Sequence, residues 1–369
     1  MKHITVFKEQ QRYAGWPANY GMWNWDDEIV LSFVVGHHKT NGDFHARDTS
    51  KPFTTEQARS VDGGLTWAVS PFPGETPGGR ALSADEHMNK GMGIGDVDLD
   101  SILDIPAEPI NFEHPDFALI CAKTGLGAGV RSFFYTSYDR CRSWQGPYKL
   151  PMFGQTGVAA RTDLIVEGPR QALFFLTANK QDGHEGRVFC ARTKDGGKTF
   201  EFVSFIHDEP EGNGFGIMPA SLKLSDGRVL VAVRYRGGDR REGQDRSWID
   251  LFSSNDGAES WAHVATPVSF EELGHNGNPA TLSQLRDGRL CLIYGNRDAP
   301  YTICAKLSDD DGATWGDEIT LRDGGGSYDI GYPRTVIRPD GKVVTGYYFN
   351  EQKGGDGPRF VEVTLWQPE

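Results

Sequence analysis

The sequence has no apolar run that approaches the roughly 20 residues needed to cross a membrane. Its first ten residues, MKHITVFKEQ, also lack the continuous apolar stretch of a signal peptide, so we expect the protein to stay in the cytoplasm. Negative charge exceeds positive charge, and the formal net charge is −13. This balance disfavours a nucleic acid or an anionic membrane surface as the main partner.

Cysteine is sparse and scattered. The five cysteines are Cys121, Cys141, Cys190, Cys291 and Cys304. Their odd number and the absence of CxxC spacing indicate neither a disulfide framework nor a zinc cluster. We therefore expect buried thiols, and we expect neither a metal nor a cofactor.

One octet recurs along the chain. Its copies are SVDGGLTW at 60, SYDRCRSW at 137, TKDGGKTF at 193, SNDGAESW at 254 and SDDDGATW at 308. Aspartate and serine side chains bind nearby backbone amides, glycine permits positive φ, and a final aromatic residue packs between neighbours. The octet therefore predicts a hairpin turn, and its spacing is typical of propeller blades. Cys141 and Ala258 replace the second glycine, so we expect distorted turns there.

A second repeat sets the number of units. Segments beginning at 218, 278 and 332 each read as a residue followed by proline, a strand, a turn with Asp-Gly, and another strand. Proline suits the first residue of a strand, where no backbone donor is needed. Segments near 15, 114 and 160 follow the same pattern, which gives six units. We predict an all-β fold, with residues 1–369 forming a single six-bladed β-propeller domain.

The last unit lacks the octet and therefore lacks an outer strand. Residues 3–8, HITVFK, have the composition of a strand and can supply it. We predict that this N-terminal strand pairs with the C-terminal blade and closes the ring, which removes an open sheet edge.

The octet resembles the Asp box, S-x-D-x-G-x-T-W, of the sialidase (neuraminidase) superfamily, in which it lies on the face away from the active site. The resemblance extends to two single positions. Tyr332 stands eight residues before Asp340, and Arg234 stands eight residues after Asp226. By resemblance, Tyr332 is the nucleophile and Arg234 is one of three arginines that hold the substrate carboxylate. A tyrosine nucleophile is a known exception among glycosidases.

Other positions depart from that family. Trp16 stands where the first arginine is expected, and Met218 stands where a glutamate activates the tyrosine. Other arginines can substitute, because bidentate recognition of a carboxylate depends on geometry rather than on sequence position. The candidates at or near predicted axial strand ends are Arg12, Arg161, Arg297 and Arg334. Arg236 projects on the same side of its strand as Arg234.

The proton donor is expected among the aspartates. Asp116 and Asp163 follow predicted strand openings, and Asp98 belongs to the acidic segment GDVDLD. We expect that segment to cross the active face. A general acid needs a carboxyl whose pKa is raised by its surroundings, which sequence does not show.

Histidines suggest a competing chemistry. His114 opens a predicted inner strand, and His37, His38 and His45 lie near the end of a strand in the first unit. Together with Tyr332 and arginines, they suit β-elimination on a uronic acid, in which arginine neutralises the carboxylate and His and Tyr move protons. A zinc site is disfavoured because the histidines lack a recognised ligand spacing.

The sequence therefore predicts a glycoside hydrolase that acts on a terminal, carboxylate-bearing sugar of a glycan. Arg161, Arg234 and Arg334 hold the anion in this interpretation, and His38 and Asp163 complete the pocket. Two alternatives remain open. One is a lyase that cleaves a uronate polysaccharide, and the other is a propeller that binds glycans without catalysis.

Overall fold

Six antiparallel sheets make up the regular structure of this protein. The computed structural model describes residues 1–40, 45–77, 81–83, 104–237, 246–270 and 277–369. Within these ranges the chain folds as a six-bladed β-propeller, as the sequence predicted. Inner strands of neighbouring blades contact each other around a common axis. No helix of the described part of the chain is long and apolar enough to cross a membrane.

Blades 1 to 3 follow the chain in order. Blade 1 contains β2 (Arg12–Gly15), a 3-10 helix (Pro17–Asn19), β3 (Met22–Trp25), β4 (Glu28–His37), β5 (Thr54–Ser60) and β6 (Ala68–Pro71). Blade 2 contains β7 (Ala118–Lys123), β8 (Ser132–Ser137) and β9 (Gln145–Lys149). Blade 3 contains β10 (Val158–Gly168), β11 (Gln171–Asn179), β12 (Glu185–Thr193) and β13 (Glu201–Phe205).

Blades 4 to 6 complete the ring. Blade 4 contains β14 (Phe215–Lys223), β15 (Val229–Gly237), β16 (Arg246–Ser254) and β17 (Ala262–Phe270). Blade 5 contains β18 (Ala280–Gln284), β19 (Leu290–Asn296), β20 (Thr302–Ser308) and β21 (Ile319–Arg322). Blade 6 contains β22 (Gly331–Ile337), β23 (Val343–Phe349), β24 (Phe360–Trp366) and the N-terminal β1 (Lys2–Phe7).

The predicted closure of the ring is confirmed. β1 pairs antiparallel with β24, from Lys2 opposite Leu365 to Phe7 opposite Val361. One face of β1 carries Val6, which is buried in the core shared by blades 1, 2 and 6. Closure therefore satisfies the edge of β24 and buries apolar surface in one step.

The octets form the predicted turns between the two outer strands of blades 1 to 5. In the first copy, Ser60 Oγ accepts a hydrogen bond from the Gly64 amide at 2.8 Å, and Asp62 Oδ1 accepts one from the Thr66 amide at 2.9 Å. The expectation of distorted turns is wrong. Cys141 and Ala258 adopt positive φ (63° and 71°), and each amide keeps its 2.9 Å bond to the serine of its octet.

Blade 2 departs from the repeat. Its first described strand, β7, pairs with β8, which runs directly into the second octet, so β7 corresponds to the second strand of the other blades. The described residues of this blade include no inner strand. The 3-10 helix of blade 1 and β10 of blade 3 contact each other directly instead. All five cysteines are buried thiols, as expected.

The closure can be tested with one substitution made on the two faces of β1. Val6→Asn places a polar amide in the core and is expected to lower the free energy of unfolding by about 2–3 kcal/mol. Thr5→Asn changes an exposed side chain next to it and is expected to stay within about 0.5 kcal/mol of the parent chain. Urea unfolding followed by tryptophan fluorescence measures both. Equal effects would show that β1 does not bury its Val6 face.

Candidate active site

Three residues near the axis take a strained, left-handed backbone conformation. Trp16, Met218 and Tyr332 each precede a proline, and their φ angles are 54°, 56° and 51°. Positive φ costs a non-glycine residue roughly 1–2 kcal/mol. In blades 4 and 6 the pairing register of the first two strands shifts at this point. The sequence pattern had suggested that these prolines stand at the first residue of a strand. In these two blades they lie instead inside bulged strands.

Asn278 of blade 5 holds the bulge at Tyr332. Its side chain is fully buried; Oδ1 accepts a 2.8 Å hydrogen bond from the Tyr332 amide, and Nδ2 donates a 2.8 Å bond to the Ile330 carbonyl. One amide side chain thus satisfies two backbone groups that the bulge removes from the strand ladder. This contact fixes the direction of the Tyr332 ring.

The Tyr332 phenol lies among arginines. Arg234 Nη1 donates a 3.1 Å hydrogen bond to Tyr332 Oη, and the guanidinium carbon of Arg297 lies 5.6 Å from the centre of the Tyr332 ring. Burial lowers the pKa of Arg234, and the positive charges of Arg297 and Arg161 lower it further. The three arginines and the tyrosine therefore lie close enough to act on one another electrostatically. We call Arg161, Arg234, Arg297 and Tyr332 the axial site.

Arg161 is held by its own carboxylate. It pairs with Glu185, and both side chains are almost completely buried. Its Nε also donates a 3.0 Å hydrogen bond to Asn19 Oδ1 in blade 1. The arginine is thereby fixed between blades 1 and 3, which contact each other directly at this point.

Arg297 is positioned by a buried network centred on Asp329. Arg297 Nη2 donates to Tyr348 Oη at 3.0 Å, and Tyr348 Oη donates to Asp329 Oδ1 at 2.6 Å. Asp329 also binds His45 Nδ1 at 2.7 Å and Arg359 Nε at 2.6 Å. Burial alone raises the pKa of a carboxyl, but His45 and Arg359 hold the pKa of Asp329 well below its usual range. Asp329 therefore serves as a fixed negative charge and not as a proton donor.

An apolar layer lies beneath the tyrosine. Ala18, Ile217 and Met218 are buried together, and Tyr332 and Phe215 pack against them. The Met218 thioether accepts a contact of 3.4 Å from Arg234 Nη1. Met218 therefore occupies the position that the resemblance gives to a glutamate, and it supports the arginine through a weak sulfur acceptor.

Asp163 and Arg334 lie deeper along the axis. Asp163 Oδ1 accepts hydrogen bonds from the amide and hydroxyl of Ser221, three residues further along β14 than Met218. Arg334 Nη2 donates to the carbonyl of Ala18 at 2.8 Å. Burial raises the pKa of Asp163 to about 6, although Arg334 and the Ser221 bonds act in the opposite direction. Asp163 Oδ2 and Arg334 Nε have no hydrogen-bond partner within the described ranges.

Three predicted site residues lie towards the rim. Arg236 is buried and lines a cavity of about 320 Å³ with Phe215 and Glu185. His38 Nε2 bonds to the Asp356 carbonyl at 2.9 Å. Arg12 pairs opposite His37 at one end of blade 1, where its Nε donates to the Gly36 carbonyl at 2.9 Å. Neither His38 nor Arg12 makes one of these bonds to a residue of the axial site.

Two predicted residues lie on the opposite face, and one lies outside the described residues. His114 precedes β7 on the face that carries the octet turns, so the prediction that it opens an inner strand of the site is wrong. The reason is the departure of blade 2, where β7 takes the second-strand position. Asp116 accepts a 2.6 Å hydrogen bond from Arg140 of the second octet. Asp98 lies outside the described residues.

Sequence reasoning missed the acidic partners of the arginines. Glu185 begins β12 and pairs with Arg161, whereas Asp329 stands three residues before Tyr332 and pairs with Arg359. Glu185 could have been found from the sequence. It stands eight residues before the third octet, and this spacing places it at the start of a strand on the site face. Arg359 and Tyr348 carry no comparable positional signal.

The comparisons agree with this architecture. The chain superimposes over its full length on 98% of a protein of unknown function from Dyadobacter fermentans, at 19% identity and a TM-score of 0.71. It also superimposes on the NanB sialidase from Streptococcus pneumoniae, at 11% identity and a TM-score of 0.61. This match covers 98% of the present chain and 70% of the sialidase. It also matches 99% of an α-L-arabinanase from Penicillium chrysogenum over its full length, at 13% identity and a TM-score of 0.58. No curated protein matches the chain in sequence.

Fold and site together define a six-bladed propeller with a tyrosine and arginines on its axis. Residues 117–345 match the BNR repeat-like domain. The chain therefore belongs to the BNR repeat-like family, and its resemblance to the sialidase superfamily is confirmed at the level of fold.

Asp163 makes a testable contribution to stability. Its folded pKa of about 6 exceeds the ordinary 3.8, so the unfolded chain loses this proton first as the pH rises. The carboxyl therefore costs no stability below pH 3.8 and costs about 3 kcal/mol once the pH passes 6. Asp163→Asn mimics the protonated form, so its stability relative to the parent chain is expected to rise by about this amount between these pH values. Urea unfolding across the range measures the difference.

Asp329→Asn is the matched control with the opposite sign. The lowered pKa of Asp329 means that its stabilisation is complete above the ordinary carboxyl pKa and is lost only as the pH falls well below it. The control variant is therefore expected to be less stable than the parent chain by about 3–5 kcal/mol at neutral pH, because Arg359 stays buried without its carboxylate. If Asp163→Asn gained no relative stability with rising pH, the assignment of a raised pKa to Asp163 would be wrong.

Proposed function

We propose that this protein is a glycoside hydrolase that acts on a terminal, carboxylate-bearing sugar of a glycan. The observation that carries the proposal is the contact of Arg234 with Tyr332 Oη, with the Arg297 guanidinium beside the same ring. This arrangement offers an anion-binding group and a phenol oxygen to one ligand. The sialidase and the arabinanase with the same fold support a carbohydrate substrate.

The charge distribution favours a carboxylate in the axial site. Arg297 is only 2% exposed, and its described hydrogen-bond acceptors, the Ile330 carbonyl and the Tyr348 hydroxyl, are both neutral. Guanidinium groups bind carboxylates through two parallel hydrogen bonds, which are roughly twice as strong as neutral ones. The negative charge of Asp329 reaches Arg297 only through the Tyr348 hydroxyl, so a carboxylate ligand would supply the direct ion pair that the neutral acceptors of Arg297 do not.

Tyr332 is proposed as the nucleophile. A neutral phenol can approach an anionic sugar without like-charge repulsion, which a carboxylate nucleophile cannot. Its oxygen would give its proton to a bound water and form a bond to the anomeric carbon while the bond to the leaving oxygen breaks. A second water would then attack the anomeric carbon, release the sugar, and return a proton to the phenol oxygen. The Arg234 N–H donor stabilises negative charge that develops on Tyr332 Oη. The leaving oxygen needs a proton donor, and Asp98 stays the predicted residue for that role.

One observation favours a second candidate, elimination on a uronate. His45 Nδ1 is bonded to Asp329, which orients the ring as in an acid-base dyad, and Asp329 also binds Tyr348. The Tyr348 ring packs 5.9 Å from that of Tyr332. Burial lowers the pKa of His45, which keeps its imidazole in the neutral form that a base requires.

The tyrosine can be tested by removing one oxygen atom. Tyr332→Phe is expected to lower kcat/KM on an aryl sialoside or aryl uronoside by at least about 10³-fold, because it deletes the nucleophile. Dye release measures hydrolysis, and ultraviolet absorbance of an unsaturated uronate measures elimination. Tyr138→Phe, on the octet face, is the matched control and should keep full activity.

The outcomes separate the three classes of function. Dye release that depends on Tyr332 supports the hydrolase, and a rise in ultraviolet absorbance supports the lyase. Binding without turnover supports a glycan-binding propeller, which the methionine at position 218 would then explain. Full turnover by Tyr332→Phe would contradict the site assignment.

The role of Arg297 can be tested by changing the charge of the substrate. Arg297→Gln is expected to lower kcat/KM by about 10- to 100-fold on the acid sugar, because a charge-assisted hydrogen bond contributes about 1.5–3 kcal/mol. On the carboxamide of the same sugar the variant and the parent should differ by less than about 3-fold. Arg12→Gln, away from the axial site, is the control and should leave both rates unchanged. Equal losses on both substrates would show that Arg297 supports the fold and not the carboxylate.

A further inference from the structure

The residue that opens blade 5 departs from the conformation of its counterparts. Asn278 precedes a proline, as Trp16, Met218 and Tyr332 do, but its φ is not positive. Its side chain is completely buried and reaches into blade 6, where it bonds to the backbone on both sides of Gly331. Asn278 therefore serves the bulge of the next blade and forms no bulge of its own.

Two glycines make room for this side chain. A Cβ atom on Gly331, whose φ is 105°, would lie 2.4 Å from both amide atoms of Asn278. A Cβ atom on Gly295, in β19 of the same blade, would lie 2.8 Å from Asn278 Nδ2. Distances this short force one of the two groups to move. The asparagine amide therefore fills a space that is left open by the absence of a side chain on either side.

The Ile330 carbonyl joins this contact to an axial arginine. It accepts a 2.8 Å hydrogen bond from Asn278 Nδ2 and two longer bonds, both of 3.4 Å, from Nε and Nη2 of Arg297. A carbonyl oxygen has two lone pairs and can hold both partners at once. Tyr332 follows two residues later, and the same asparagine holds its amide. The phenol and the guanidinium are therefore tied to one short segment, residues 330–332.

Both hydrogen bonds depend on the amide group of asparagine. This group carries an acceptor oxygen and a donor nitrogen on one carbon, which matches the Tyr332 N–H and the Ile330 C=O. An ionised carboxylate offers only acceptors, and an apolar side chain offers neither. Because a buried backbone group without a partner is costly, the segment is expected to shift when the amide is removed.

We propose that Asn278 is a positioning residue that fixes the Tyr332 phenol against Arg234. Through the Ile330 carbonyl it also sets the place of that phenol relative to Arg297. This role rests on the proposed function, in which the phenol oxygen bonds to the anomeric carbon. Asn278 is completely buried, so it acts through Tyr332 and not on the substrate. A displacement of about 1 Å in such a reacting group can lower the rate by about 100-fold.

The positioning role can be tested by removing the amide in two backgrounds. Asn278→Ala is expected to lower kcat on an aryl sialoside or aryl uronoside by about 100-fold, because the phenol leaves its reacting position. In the Tyr332→Phe background the same substitution should lower the residual rate by less than about 3-fold, since the group through which it acts is already gone. A role in stability alone would give equal losses in both backgrounds.

Asn24→Ala is the matched control. The Asn24 amide comes from blade 1 and donates a 3.2 Å hydrogen bond to the Ile337 carbonyl, at the other end of β22 from Tyr332. Its loss removes a contact between blades on the same strand but leaves the bulge intact. The control variant should therefore keep the kcat of the parent chain, and thermal melting checks that both variants are folded.

Crystal structures of the variants give a readout that needs no substrate. In the parent chain Tyr332 Oη lies 3.1 Å from Arg234 Nη1. Asn278→Ala is expected to lengthen this distance beyond hydrogen-bonding range, whereas Asn24→Ala should leave it unchanged.

A second variant keeps the test open if the alanine variant does not fold. Asn278→Asp has the same size and keeps the acceptor for the Tyr332 amide, but its carboxylate cannot donate to the Ile330 carbonyl. It is expected to lower kcat by about 10-fold, because one of the two bonds is lost. Full activity of this variant would contradict the need for both bonds.

The proposal is overturned if Asn278→Ala leaves Tyr332 Oη bonded to Arg234, or if its effect on the rate is as large in the Tyr332→Phe background as in the parent chain. It is also overturned if Asn24→Ala loses as much kcat as Asn278→Ala. If the parent chain turns over no acidic sugar, the proposed function fails, and the crystal structures still decide whether Asn278 holds Tyr332 in place.

Discussion

The candidate active site depends on one strained backbone bulge. At Tyr332 the chain takes positive φ next to a proline, and Asn278 of the neighbouring blade supplies the two hydrogen bonds that hold it there. Without this bulge the strand would continue its regular alternation, and the phenol would not meet Arg234. Trp16 and Met218 repeat the conformation in blades 1 and 4, so the propeller presents the same local device to its axis three times.

Burying several arginines around that axis requires compensation. Arg161 is compensated by Glu185, and Arg359 by Asp329, in pairs that are nearly inaccessible to solvent. Arg297 receives only neutral oxygen acceptors among the described residues, but it stands near Asp329 through the Tyr348 hydroxyl. Removing one partner of such a pair leaves an uncompensated buried charge, at a cost of about 3–5 kcal/mol. The ion pairs that hold the guanidinium groups in place are therefore inseparable from the stability of the blades.

Local chemistry explains how much of this could be predicted. Each octet makes its hydrogen bonds within eight residues, so the turns, the six blades and the closing strand were visible in the sequence. Tyr332 and Arg234 were located by counting from an Asp-Gly turn. The sequence did not locate Asp329, Tyr348 and Arg359. Their contacts join separate segments of the chain, so they leave no repeating pattern in the sequence. His114 was misplaced because blade 2 lacks an inner strand among the described residues, which the repeat alone does not reveal.

The central claim is that the axial arginines bind a carboxylate beside Tyr332. It is tested most directly by a crystal structure of the protein with an acidic monosaccharide bound. The account predicts carboxylate oxygens within hydrogen-bonding distance of Arg234 and Arg297, with the anomeric carbon facing Tyr332 Oη. A sugar bound in the axial site with its carboxylate pointing away from both arginines, or an acidic sugar bound only elsewhere, would contradict it.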